Sequence, residues 1–391
     1  MKGKLSAPIA LVCLLLASAD RASAQGSLTP PGAPVPLFKT LQQVEPRLEI
    51  NAANTPGDAD SLFQITQPGS YYLTGNITGA VGKYGVEIAA SGVTLDLMGF
   101  ELAGVSNSLN GIHFVVASTN VSIRNGTVRN WGDNGIRANL AVNSRCERLL
   151  LSGNENLGIW LGDGCVVSDC TLSGNGDGIQ TGNRCLVSDS TVTSSTGGAA
   201  IACGTDCLVV RCAATSGDDG IVVGDRSTVA DCTVYQNAGT GIQAFASCIV
   251  SGCTVRESGA NGIGATEGST IRGCTVTVSV GDGIVVSRDC LVIENHCHDN
   301  HAVTGGAGIR VTAQDNVIDS NNMTGNDLGL RVASFGNLII RNTASGNGTN
   351  YVIAATNKVG VIVAAPNSAA ISGSTGGAGV GTTEPWANLS Y

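Results

Sequence analysis

Apolar residues recur along this chain in short alternating runs, never at helical spacing. The dipeptide Gly-Ile, or a close variant, opens one run after another: Gly111-Ile112, Gly135-Ile136, Gly158-Ile159, Gly178-Ile179, Ala200-Ile201, Gly220-Ile221, Gly241-Ile242, Gly262-Ile263, Gly283-Ile284, Gly308-Ile309 and Gly329-Leu330. The interval is 20 to 25 residues, most often 21. A second apolar run follows each, as in "CVVSDCTLSGN" and "STIRGCTVTVS". One coil of two or three short strands cannot bury its apolar side alone, so such coils stack on one another. The pattern predicts an all-β chain, a parallel solenoid of about eleven coils with neighbouring strands about 4.8 Å apart.

Stacking turns a sequence period into ladders of like residues. One inward ladder is expected to run Asn125, Cys170, Ser190, Cys212, Cys232, Cys253, Cys274, Asn295, Ser320 and Asn342, and another Cys165, Cys185, Cys207, Ser227, Cys248, Ser269 and Cys290. Cysteine is there interchangeable with Ser and Asn, which reads as small buried packing rather than disulfides or a metal cluster. Arg184, Asp206 and Arg226 share one turn position on successive coils, so cross-coil ion pairs are expected there.

The ends depart from the period. Residues 1–24 have a basic start, a short apolar run and Ala22-Ser23-Ala24 before Gln25, the pattern of a secretory signal peptide. The apolar run is too short for a membrane span, which needs roughly 20 residues. Residues 25–68 read as a Pro-rich linker and N-terminal cap, 69–363 as the solenoid, and 364–391 as a Gly/Ser-rich tail whose Trp386 end suits a closing cap. The expected product is secreted. Its formal charge of −9, about −11 without the leader, repels phosphate backbones and argues against nucleic acid as a partner.

The coils, with turns such as "GNGDGIQTGN" and "QNAGTGIQ", resemble the right-handed parallel β-helix repeat proteins over about Gly69 to Val363. That superfamily holds pectin and alginate lyases, polygalacturonases, alginate epimerases and carbohydrate-binding proteins. The resemblance implies a right-handed parallel β-helix with a polysaccharide as partner.

Three groups of residues are candidates for chemistry. Asp177 and Asp219 lie in "NGDG" and "GDDG", motifs similar to those that carry the catalytic acids of polygalacturonases, and Asp218 adjoins the second. Two coils separate them by roughly 9.6 Å, at the upper edge of what an inverting hydrolase uses. The intervening Ala199 and the missing Gly-His-Gly depart from that family, and the same turn position elsewhere takes Asn, Thr or Leu. The second group is the outward position after each Gly-Ile. His113, Arg137 and Trp160 follow one another there, with Gln180 and Gln243 further along as substrate-binding candidates. A uronate lyase or epimerase needs a cation on the carboxylate and a base for the neighbouring proton, roles that suit Arg137 and His113. Trp160 would stack on a sugar face.

The third group is "ENHCHDNH", where His296 and His298 alternate and, with His301, suit a metal. No cofactor is fixed by the residues; the resemblance to β-helix lyases implies calcium or another divalent metal, for which Asp163, Asp218, Asp219 and Asp225 offer oxygens near the turns without forming a dedicated loop. The leading expectation is a secreted lyase or glycoside hydrolase that binds and cleaves a polysaccharide. The alternative is a non-catalytic structural or adhesive surface protein, favoured by the shortness of the turns.

Overall fold

The structure, a computed structural model, describes residues 45–195, 197–301, 305–364, 370–373 and 384–391. The expected signal peptide, residues 25–44 of the linker, residues 302–304 and most of the tail lie outside the described residues. Residues 47–391 form one compact unit. Among the described residues there is no helix, and none long and apolar enough to cross a membrane.

Every coil contributes one strand to a fifteen-stranded parallel sheet, and the remaining strands form a second sheet of twenty-eight. The expected count of eleven coils is therefore corrected to fifteen turns. Eleven strands carry the Gly-Ile signature. Two precede them, Ser61–Ile65 and Tyr84–Ile88, and two follow, Thr349–Ile353 and Ala370–Gly373. In the outer turns Phe63, Val86 and Tyr351 hold the register that isoleucine holds elsewhere, so the dipeptide does not mark them.

The Gly-Ile motif has a packing cause. Its isoleucines stack from Ile112 through Ile309 onto Leu330 and are shielded from solvent completely. Each such side chain contributes about 1.5–3 kcal/mol by leaving water. The glycine before it lets the next coil approach. A Cβ on Gly220 would collide with the carbonyl oxygen of Gly241 and with Cγ1 of Val234. Corners are cut by residues with positive φ, three to a coil, such as Arg184, Asp189 and Ser194 on one coil and Asp206, Arg211 and Ser216 on the next.

Inside the corners run ladders of small polar groups. Cys165 N–H donates to Cys185 Sγ, Cys185 N–H to Cys207 Sγ, and Cys207 N–H to Ser227 Oγ, at 3.3, 3.3 and 3.0 Å. The other expected ladder needs two corrections. Asn125 and Ser320 are corner residues with positive φ, and the inward neighbours are Leu149 below Cys170 and Asn321 above Asn295. A period of 20 to 25 residues leaves a one-residue ambiguity that only backbone torsion resolves. The asparagine ladder continues Asn295, Asn321, Asn342, Asn388, each accepting from the backbone N–H of the one before at 2.9–3.0 Å. A further ladder through Asn154, Asn175, Asn300, Asn326 and Asn347 has no counterpart in the sequence expectations.

All thirteen described cysteines are free and buried. Burial pushes the Cys165 thiol up to about 11 and the Cys170 thiol up to about 12, which keeps both protonated. At the C-terminal end the strand Asn388–Ser390 pairs with both Thr343–Ser345 and Ile362–Ala364. The buried Tyr351 hydroxyl donates to carbonyl oxygens there, 2.9 Å from that of Asn342 and 2.8 Å from that of Leu389. Arg341 lies over the Trp386 ring at 5.1 Å.

Candidate functional site

Strand alternation sends the residue after each buried isoleucine outward. Parallel register then places Gln64, Glu87, His113, Arg137, Trp160 and Gln180 in a single file across six successive coils. His113, Arg137 and Trp160 thus adjoin one another as their spacing predicted. Gln243 belongs to the same file, three coils beyond Gln180.

The centre of this file is short of hydrogen bonds. Nδ1 of His113 and Nε of Arg137 are both buried without a partner. Two such groups cost about 1–3 kcal/mol each, a cost that interiors rarely carry without a purpose. Arg137 sits 5.4 Å over the Trp160 ring. On its other side His113 stacks on Tyr84, with centroids 4.2 Å apart and planes 17° from parallel. Burial, and next the Arg137 charge, hold the imidazole below its ordinary pKa against the opposing pull of Asp133. The ring is therefore neutral at pH 7, with one nitrogen free to take a proton.

Two residues of this cluster lie beyond the sequence expectations. Glu87 is only 4% exposed, and burial followed by the charge of Asp58 raises its pKa. Gln64 Nε2 donates to it at 3.2 Å. Tyr84 also titrates above its ordinary range, through burial and then the charge of Glu87. Their coil opens with Gly85-Val86 rather than Gly-Ile; admitting valine to the motif would have found Glu87 one position on.

Asp177 and Asp219 do share a register position two coils apart, with Ala199 between. Asp177 has a pKa raised by burial. Asp219, in contrast, accepts the Thr240 N–H at 2.6 Å and so caps the next coil's turn. Asp163 and Asp225 do the same for Asn183 and Ala246, at 2.9 and 3.0 Å. These acids serve the scaffold. Asp218 is exposed, and its backbone oxygen accepts from Gly239 N–H at 2.6 Å.

The structure does not gather His296, His298 and His301 into one donor set. The first two lie on the strand His296–His298 of the larger sheet, away from the Gly-Ile face, with ring centroids 6.0 Å apart. Both nitrogens of His298 are engaged, Nδ1 by Thr324 Oγ1 at 3.0 Å and Nε2 by Asp299 Oδ2 at 2.8 Å. His301 turns to Asp327 Oδ1 at 3.1 Å. Among the described residues no three His, Cys, Asp or Glu side chains are placed to hold a metal ion. The sequence places these histidines close together, but the corner that follows His298 separates His301 from the strand pair.

A family model described as "Right handed beta helix region" matches residues 63–213, 110–252, 162–295 and 246–365 in overlapping passes. The chain belongs to this right-handed β-helix family. Two solved members of the fold are similar to it, both modules of mannuronan C-5 epimerases from Azotobacter vinelandii. The AlgE4 A-module is 13% identical, with a TM-score of 0.50 over 72% of this chain and 87% of that one. The AlgE6 A-module is 11% identical, with a TM-score of 0.50 over 82% of this chain and 89% of that one. At these identities the likeness is one of β-helix fold. No curated protein matches the chain in sequence.

Proposed function

We propose that this β-helix protein is exported, binds an acidic polysaccharide along the outward face of its fifteen-stranded sheet, and acts on it by removing the proton next to a uronate carboxylate. The observation that carries the reading is the pair of buried, partnerless nitrogens on His113 and Arg137, side by side on successive coils beside Trp160. The two structurally similar modules act on mannuronan, a uronate polymer, which supports this substrate class.

In this reading the Arg137 guanidinium meets the substrate carboxylate and stabilises the charge that spreads into it when the neighbouring carbon loses its proton. The neutral His113 ring takes that proton at Nε2, since Nδ1 is enclosed. The electron pair then forms a double bond in the new end sugar as the bond to the glycosidic oxygen breaks, and that oxygen takes a proton from water to leave as a hydroxyl. Trp160 orients the sugar ring, and Tyr84 holds the imidazole plane. Hydrolysis through Asp177 and Asp219 is the weaker reading, because the Asp219 carboxylate is already engaged by Thr240.

The test is incubation with polyuronates and neutral polysaccharides, following reducing ends together with the ultraviolet absorbance of the double bond. Elimination predicts both signals on a polyuronate, lost in His113→Gln and Arg137→Gln. Reducing ends alone would move the chemistry to Asp177. Silence with every polymer would favour a structural surface protein.

A further inference from the structure

A second cationic station lies far along the same face. Over most of the helix an arginine on one coil meets an acid on the coil before it. Arg129 pairs with Glu101 at 2.9 Å, Arg211 with Asp189 at 2.7 Å, and Arg226 with Asp206 at 2.7 Å. Arg310 keeps to this rule through Asp282, and Arg331, on the next coil, breaks it. They are register partners on consecutive coils, both in the outward file that carries His113 and Arg137. Like charges stacked this way oppose folding.

The acid that meets Arg310 is Asp282, on the coil before it. It is nearly buried, accepts the Ala307 N–H at 2.7 Å, and faces Arg310 Nε at 2.8 Å. That contact is a charge pair without hydrogen-bond alignment, for Nε of Arg310 is left buried and unbonded. Arg331 makes no ion pair among the described residues. Two guanidinium groups thus share one carboxylate, and a positive charge is left over on a chain whose total is −9.

Arg137 lies on the fourth strand of the sheet and Arg310 on the twelfth. Eight steps of strand spacing separate them by about 38 Å. The seven outward positions between, from Trp160 to Val285, carry no charge. An extended polyanion lying along the file meets cations at both ends and an uncharged track between. We infer that Arg310 and Arg331 form a remote subsite that grips carboxylates of the same polyuronate chain about 38 Å from Arg137, so that the protein selects long polymers. The inference rests on the acidic-polysaccharide reading above and adds a length requirement to it.

The experiment measures binding of polygalacturonate and polymannuronate, each as a short fraction and as one that spans both stations, to the full-length protein and its Arg137→Gln, Arg331→Gln and Arg331→Lys variants. Arg331→Gln is expected to weaken the long fraction about tenfold, the effect of one charge-assisted pair, and leave the short fraction unchanged. Arg331→Lys retains part of the long-chain affinity, because it keeps the charge and loses the fork. Circular dichroism and Tm show that each variant is folded. If short and long fractions bind through Arg137 while Arg331→Gln changes neither, the remote subsite is wrong and the proposed function stands. If only long fractions bind, and Arg331→Gln weakens them where Arg137→Gln does not, the subsite stands and the catalytic reading falls. Absence of binding by every polyuronate overturns both.

Discussion

The imidazole of His113 lies flat against the phenol ring of Tyr84, one coil before it, at a centroid distance of 4.2 Å. This stack covers one face of the ring while Arg137 occupies the neighbouring coil. Desolvation is the leading cause of the lowered histidine pKa, and Tyr84 supplies part of the cover.

Replacing Tyr84 with Ala is therefore expected to raise the His113 pKa toward 6.5, read by the ring proton shifts in an NMR titration. The sign for stability follows. The unfolded histidine takes up a proton that the folded ring resists, so stability falls as pH drops through 6.5 toward the folded value. Tyr84→Ala flattens that slope in denaturant titrations. An unchanged pKa would show that the stack does not tune the base.

Glu87 has the opposite sign. Its folded pKa lies above 4.5, so the folded chain holds the proton more tightly, and stability falls as pH rises from 4.5 through the folded value. Glu87→Gln removes the buried charge. Its Tm should exceed that of the parent at pH 7, with the gain vanishing below pH 4.5. Equal Tm values at pH 7 would mean that Gln64 already offsets the burial of the carboxylate.

Asn321 is held by four side-chain hydrogen bonds. Its Oδ1 accepts from N–H and Nδ2 of Asn295, and its Nδ2 donates to the oxygens of Val292 and Asn342. Asn321→Ala leaves buried donors and acceptors unpaired on two neighbouring coils and is expected to cost about 3 kcal/mol in denaturant unfolding. Cys232→Ser is expected to stay within about 1 kcal/mol of the parent, because serine fills the equivalent ladder position at Ser190. A larger loss there would mean that the sulfur packs in a way oxygen cannot replace.

Val278 stands at a corner with φ of 58°, where neighbouring coils place Glu257 and Asp299. A β-branched residue is strained in this conformation, and its side chain is exposed. Val278→Asn is expected to raise stability by about 1 kcal/mol, measured by the same unfolding assay. No gain would show that the corner's geometry, and not its residue, sets the cost.

Much of this molecule is legible in sequence because a solenoid makes local period and tertiary contact the same thing. Every Gly-Ile is one coil, so counting along the chain is enough to place His113, Arg137 and Trp160 on adjacent strands. Counting fails where the period does. The outer turns replace isoleucine with Phe63, Val86 and Tyr351, which hides three of the fifteen coils and with them Glu87 and Tyr84. It errs by one residue at Asn125 and Ser320, where hydrophobic pattern does not distinguish a positive-φ corner from the inward position beside it.

What the sequence determined alone was the all-β parallel architecture and the order of residues along its outward face, because both follow from side-chain alternation and a repeat near 21 residues. Only the tertiary structure decided which polar groups have partners. It gave the Asp219 carboxylate to Thr240 and both nitrogens of His298 to Thr324 and Asp299, and it left His113 and Arg137 with nitrogens unpaired. The physical reason is range: a period places residues to within one strand spacing of about 4.8 Å, whereas a hydrogen bond is made or lost within a few tenths of an ångström.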